Sequence, residues 1–274
     1  MRRALVACLA VGLGAAPVGV LLVLRRMSLV GDAMAHAVLP GVAIGFLVAG
    51  FSVVAMTLGG VIAGLVVAML AGGVHRLTGQ REDTSFAAFY LVAMALGVLL
   101  ISARGSSTDL MHVLFGNLLA VDREALLLVA AVASATLVAL AACLRGLVTE
   151  CFDPGFLQAA GSPRGLFHAV FLGLVVLNLV AAFHALGTLM AVGLMMVPAA
   201  SARYWARTVA GLMATAVAFA LASAALGLLL SFHLGAASGP AVVLTAGVGY
   251  LASVLLGPVD GVVARFRPRP HLEA

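Results

Sequence analysis

Apolar residues run along this chain in blocks too long for strands and too uniform for helices lying on the surface of a soluble core. Continuous hydrophobic windows fall near residues 4–24, 29–50, 52–74, 84–103, 124–144, 166–183, 187–202, 208–231 and 240–257, separated by short polar or Gly/Pro-bearing stretches. A bilayer core about 30 Å thick takes roughly 20 apolar residues of helix, so the windows predict membrane-crossing helices. The fold class is therefore all-α, a polytopic transmembrane bundle of eight or nine spans. Residues 1–260 read as one transmembrane domain and residues 261–274, ending RFRPRPHLEA, as a basic cytoplasmic tail. The seventh window, 187–202, is short and rich in small residues. It reads either as a span or as a re-entrant or broken helix enclosed by protein. The opening MRRALVACLAVGLGAAP has the two-arginine start of a signal peptide, but its apolar run continues through Pro17 to Leu24. That length predicts a retained first helix.

Composition agrees: 64% of the 274 residues are hydrophobic and 9% are charged. All 15 basic residues are arginine, since the sequence contains no lysine. A GxxxxGK[ST] phosphate loop is thereby excluded, and any ATP used in transport has to be bound by another polypeptide. Placing the N-terminus outside puts Arg25, Arg26, Arg76, Arg81, Arg145, Arg164, Arg203, Arg207, Arg265, Arg267 and Arg269 on the cytoplasmic side. Only Arg2, Arg3, Arg104 and Arg123 are left outside. The asymmetry is a positive-inside signal, and such scattered arginines do not make a nucleic-acid surface. Cys8, Cys143 and Cys151 have no CxxC spacing and read as small apolar residues.

Against this background the stretch SLVGDAMAHAVLPG, residues 28–41, stands out. Asp32 and His36 are one helical turn apart on a single face, roughly 6 Å between Cβ atoms, where a carboxylate and an imidazole can converge on one ion such as Zn²⁺ or Mn²⁺. The plainer alternative is that Asp32 caps the helix after Gly31 and His36 is an interhelical hydrogen-bonder. Pro40, flanked by Gly31 and Gly41, predicts a bend. Gly41 and Gly45 have the small-xxx-small spacing of close helix packing. Asp109 and His112 form a second pair, a candidate outer vestibule or a short capped interfacial helix. The polar stretch TECFDPGFLQAAGSPRG predicts a short helix near 152–161 with Asp153 at the N-cap, Pro154 in the first turn, Phe156 on the apolar stripe and Gly161 at C′. It suits docking of a partner better than lying on lipid, because its basic residues sit only at the ends. His184 and His233 fall at outer helix ends, Glu82 and Asp83 offset the positive end of a helix, and Asn178 reads as interhelical glue.

The stretches LRRMSLVGDAMAHAVLPGVAIGFL, REDTSFAAFYLVAMALGVLLIS, STDLMHVLFGNLLAV, CFDPGFLQAAG and LGTLMAVGLMMVPAASAR resemble, in order and over most of the chain, the membrane permease subunits of bacterial ABC importers for zinc, manganese and related divalent metals. The resemblance implies a homodimer in the bacterial inner membrane, a cytoplasmic ABC ATPase on each copy and an extracytoplasmic metal-binding protein that delivers the ion. It gives Asp32 and His36 the metal-contacting role and Asp153, Pro154, Phe156 and Gly161 the ATPase-docking, or coupling-helix, role. The chain would then be no enzyme itself and would hold no permanent cofactor, the divalent metal, Mn²⁺ or Zn²⁺, being its cargo. The wording MHVLFGN is nearer the manganese and iron branches than the zinc branches. The rival readings are an ATP-independent secondary metal transporter or channel, an importer of a metal chelate or cobalamin, and an intramembrane enzyme. Asp32 is the lone carboxylate deep in a window, and neither HExxH nor a deep Ser–His pair occurs, so the residues favour none of the three.

Overall fold

A computed structural model of the chain describes residues 2–50, 52–79, 81–102, 121–159, 161 and 165–265. Helices account for nearly all of them: α1 (Arg2–Leu24), α2 (Ser28–Ala37), α3 (Leu39–Ala49), α4 (Val53–Thr78), α5 (Glu82–Ser102), α6 (Arg123–Phe152), α7 (Pro154–Ala159), α8 (Leu166–Leu186), α9 (Thr188–Ala202), α10 (Val209–Leu234), α11 (Ser238–Leu256) and α12 (Val262–Arg265). Among the described residues there is no strand. Eight helical stretches are long and apolar enough to cross a membrane, counting α2 and α3 as one, and α9 is a shorter apolar helix.

The bundle is assembled around α1, which packs against α6, α8, α9 and α10. Lipid tails are as apolar as leucine, so helices in a membrane gain little from hydrophobicity and associate by close van der Waals contact between small residues. Helix α1 follows that rule. A Cβ at Gly12 would lie 3.2 Å from Ala220 of α10, and one at Gly14 would lie 2.8 Å from Asn178 Oδ1 of α8 and 3.0 Å from the Ala133 backbone of α6. One at Gly19 would strike the Met195 carbonyl of α9. The predicted Gly41 and Gly45 pair does the same for α3, crossing α4 with Gly41 against Gly59 and Gly45 against Ala55. Asn178 serves as predicted, donating from Nδ2 to Thr136 Oγ1 of α6 at 2.8 Å and to its own Leu174 carbonyl at 2.9 Å.

Several windows change shape in three dimensions. The second splits at Val38 into α2 and α3, because Pro40 has no N–H to give the His36 carbonyl four residues back. The fifth runs on to Phe152, since nothing before Asp153 and Pro154 stops the helix, and Gly146 makes room for the Phe167 ring of α8. Helix α9 has 15 residues, about 22 Å of rise, which is shorter than a bilayer core. Yet it follows α11 from end to end. Met190 lies beside Gly239, Gly193 beside Val243, and the Val259 amide donates to the Tyr204 carbonyl at 3.1 Å. The turn after α9 completes the crossing, so the seventh window is a short span rather than a re-entrant loop.

Helix α1 ends in a Schellman turn, with the Arg26 amide bonded to the Val23 carbonyl at 3.1 Å and the Met27 amide to the Leu22 carbonyl at 2.9 Å. The left-handed residue in that turn is usually glycine. Here it is Arg26, at φ 59°.

The α3–α4 crossing generates a prediction. Gly41→Ala should destabilise the protein by about 1–3 kcal/mol, the usual cost of overpacking. Gly247→Ala, where a Cβ meets nothing within 4 Å, should be neutral or stabilising by up to about 1 kcal/mol. Thermal unfolding in detergent micelles compares the two.

Candidate functional site

Helix α2 starts at Ser28, so Asp32 sits a full turn inside it and is not a cap. Val30, Gly31, Ala33, Met34, Ala35 and Ala37 are buried, as α2 packs against α5, α8 and α9. Gly31 is pressed against α9, where a Cβ would lie 3.1 Å from Met195 Cε and 3.2 Å from Met196 Sδ. This packing leaves the carboxylate of Asp32 on the open side, 60% exposed within one chain, with the His36 ring beside it at 31%. The two predicted residues are thus brought together, Asp32 Oδ1 lying 3.8 Å from His36 Nε2.

That separation is too long for a hydrogen bond. Two ligands about 2.1 Å from one ion stand roughly 3.0–3.4 Å apart, so a small rotation of either side chain lets both atoms reach a divalent cation. His36 Nδ1 is buried with no hydrogen-bond partner among the described residues. The ring stacks at a tilt on Tyr90 of α5, centroids 6.2 Å apart. Sequence reasoning missed Tyr90, because nothing local in SFAAFYLVAM marks it as the neighbour of a residue more than fifty positions away. No group of three or more His, Cys, Asp and Glu side chains placed to hold a metal ion occurs among the described residues, which offer this pair rather than a closed cage. Asp109 and His112 lie outside the described residues.

The predicted short helix is present as α7. Asp153 caps it, its Oδ1 accepting from the Phe156 amide at 2.9 Å. Pro154 opens the helix, and Gly161 takes the left-handed conformation at φ 80°. Phe152 and Phe156 are 67% and 61% exposed at the arginine-rich end of the bundle, an apolar pair with no cover in the single chain. Of the remaining candidates, His184 and His233 bond back to their own helices through Nδ1, to the Val180 carbonyl at 2.9 Å and the Leu229 carbonyl at 2.8 Å. A carbonyl only accepts, so each ring carries its proton on Nδ1. Arg25, noted in the sequence only as a topology marker, is instead an almost fully buried cation near the start of α2.

Residues 1–257, which take in every helix from α1 through α11, match the ABC 3 transport family. The chain belongs to that family. Its relatives include the manganese import system permease protein ScaB of Streptococcus parasanguinis, 33% identical over 94% of this chain and 91% of that protein. The manganese transport system membrane protein MntC of Halalkalibacterium halodurans is 33% identical over 97% of this chain and 90% of its own length. Among solved structures, PsaBC from Streptococcus pneumoniae in complex with Fab is similar, with a TM-score of 0.85 and 32% identity over 97% of this chain and 95% of that one. Like those relatives, this ABC 3 family member is a multi-pass membrane permease. The expected resemblance therefore holds along the whole bundle and is not confined to one motif.

The capping of α7 gives a prediction for this family member. Asp153→Ala removes the side chain that receives the Phe156 amide, a loss of about 1 kcal/mol. Hydrogen exchange of the amides in 155–159 should speed up by roughly fivefold, with the exchange of α8 unchanged.

Proposed function

We propose that this chain is the membrane permease subunit of an ATP-driven importer of divalent transition-metal ions, with manganese as its cargo. The carrying observation is the Asp32/His36 pair, 3.8 Å apart on the open face of a helix broken at Val38 inside a membrane bundle. A carboxylate is costly at membrane depth unless it faces a partner or a water-filled path, and this pair is the hard-and-intermediate ligand mixture that Mn²⁺ accepts. The manganese named in the relatives ScaB and MntC supports the choice of ion.

Two copies related by a two-fold axis bring two such pairs to one path in the inner membrane of a bacterium. A cytoplasmic ABC ATPase seats on α7 of each copy, receiving the exposed Phe152 and Phe156, and an extracytoplasmic metal-binding protein delivers the ion at the opposite end. With no lysine in the chain for a phosphate loop, hydrolysis belongs to that partner. Closure of the ATPase pair moves α7, and the bundle switches the side to which the Asp32/His36 face opens. Two ligands per chain hold the ion firmly enough to accept it and loosely enough to release it. Residues 1–260 make up the permease domain and residues 261–274 a cytoplasmic tail.

Reconstitution of the chain with its ATPase and metal-binding partner in proteoliposomes tests this reading. ATP-dependent uptake of manganese should exceed that of zinc. Asp32→Ala and His36→Ala should each lower it by at least about tenfold, as expected where even an outer partner of a metal ligand costs that much, while the complex still assembles. Normal uptake in both variants would remove the pair from the path. Uptake that needs no ATP would make the chain a secondary transporter.

A further inference from the structure

The turn between α1 and α2 contains a charged side chain whose partners come from both sides of α7. Arg25 is bonded through Nη1 to His168 Nδ1 at 2.7 Å, and its Nη2 lies 3.5 Å from Glu150 Oε1. Its guanidinium carbon stands 4.5 Å over the Phe171 ring, and Cys151 lies against it. The Arg25 side chain is 8% exposed and that of Glu150 15%. Glu150 and Cys151 belong to the last turn of α6, just before the Asp153 cap of α7, whereas His168 and Phe171 belong to the first turns of α8, just after it. One planar cation therefore clamps the entry and the exit of the α7 segment. The guanidinium donates, so His168 accepts at Nδ1.

Arg25 is also the residue after α1 and the third before α2. The following residue, Arg26, takes a left-handed backbone that a non-glycine residue adopts at a cost, so the turn is held in one shape by what surrounds it. Asp32 and His36 follow on α2 within one to two turns.

We propose that Arg25 is the positioning residue that carries motion of α7 to the metal-contacting helix α2, through its fork to Glu150 and His168. This rests on the importer reading above, in which the ATPase moves α7. A guanidinium fits the role because its fixed fork transmits direction as well as attraction, which an ammonium on a flexible stem does not.

The test uses the complete complex in proteoliposomes, with ATP hydrolysis and manganese uptake read in the same vesicles. In Arg25→Lys and Glu150→Gln, stimulation of hydrolysis should persist while metal moved per ATP falls roughly three- to thirtyfold, the range over which mutations along a transmitting network shift coupling. His168→Asn, which leaves the ion pair intact, should show a smaller drop in the same ratio. An unchanged ratio in all three overturns the proposal. So does a proportional loss of hydrolysis and uptake, or failure of all three complexes to assemble, each of which would make the cluster a structural staple. If the wild-type complex shows no ATP-dependent uptake, it is the importer reading that fails, and the two failures are thereby told apart.

Discussion

The close approach of α1 to its neighbours is the constraint on which the other features depend. Gly12, Gly14 and Gly19 let α10, α6, α8 and α9 come within a methyl group of its backbone, and no side chain larger than glycine fits at Gly19 without moving the Met195 carbonyl. In lipid this closeness is the main source of cohesion, since apolar area is no less content among acyl chains. It also fixes where α2 emerges. Helix α1 is held on four sides, so its last turn and the Arg25–Met27 corner start from a rigid base, and α2 is laid against α9 with Gly31 on the two methionines.

From that base the chain places two polar features on one short helical stretch. At its start Arg25 is buried and satisfied by Glu150, His168 and the Phe171 face. Farther along, Asp32 and His36 are left open and only loosely paired. The contrast is physical. A buried cation resists the loss of its partners and suits a fixed joint. A carboxylate and an imidazole held slightly too far apart to bond each other keep their lone pairs for something else. Val38, where the missing Pro40 N–H interrupts the helix, lies between that pair and the rest of the span, though its own backbone stays helical at φ −73° and ψ −26°.

Much of this was legible in the sequence because it is local. The hydrophobic windows marked the helices, the spacing of Asp32 and His36 put them on one face, Pro40 foretold the break, and Asp153, Pro154 and Gly161 punctuated α7. What was not legible depends on contacts distant in sequence. Arg25 looked like any arginine at a membrane boundary, and only the fold shows Glu150 and His168 closing on it from 125 and 143 positions away. Tyr90 was hidden for the same reason. The length of α6 was misjudged because Arg145, Thr149 and Glu150 read as the onset of a loop, whereas Thr149 bonds back to the Arg145 carbonyl and Glu150 pairs with Arg25, so polarity there does not end the helix.

Asp32 is exposed, and its charge restricts what can lie against it. A carboxylate 60% open on a helix of a membrane bundle has two surroundings available to it, lipid or water. Facing acyl chains would cost free energy that facing water does not, even one helical turn from the start of α2. Helices α4, α10 and α11 present Leu58, Ile62, Leu230, Leu244 and Leu251 outward, residues suited to lipid. The α2 face presents an acid and an imidazole beside the exposed Leu29. On the proposed importer reading, that asymmetry suits the α2 face to a water-filled path and the leucine-lined faces to lipid.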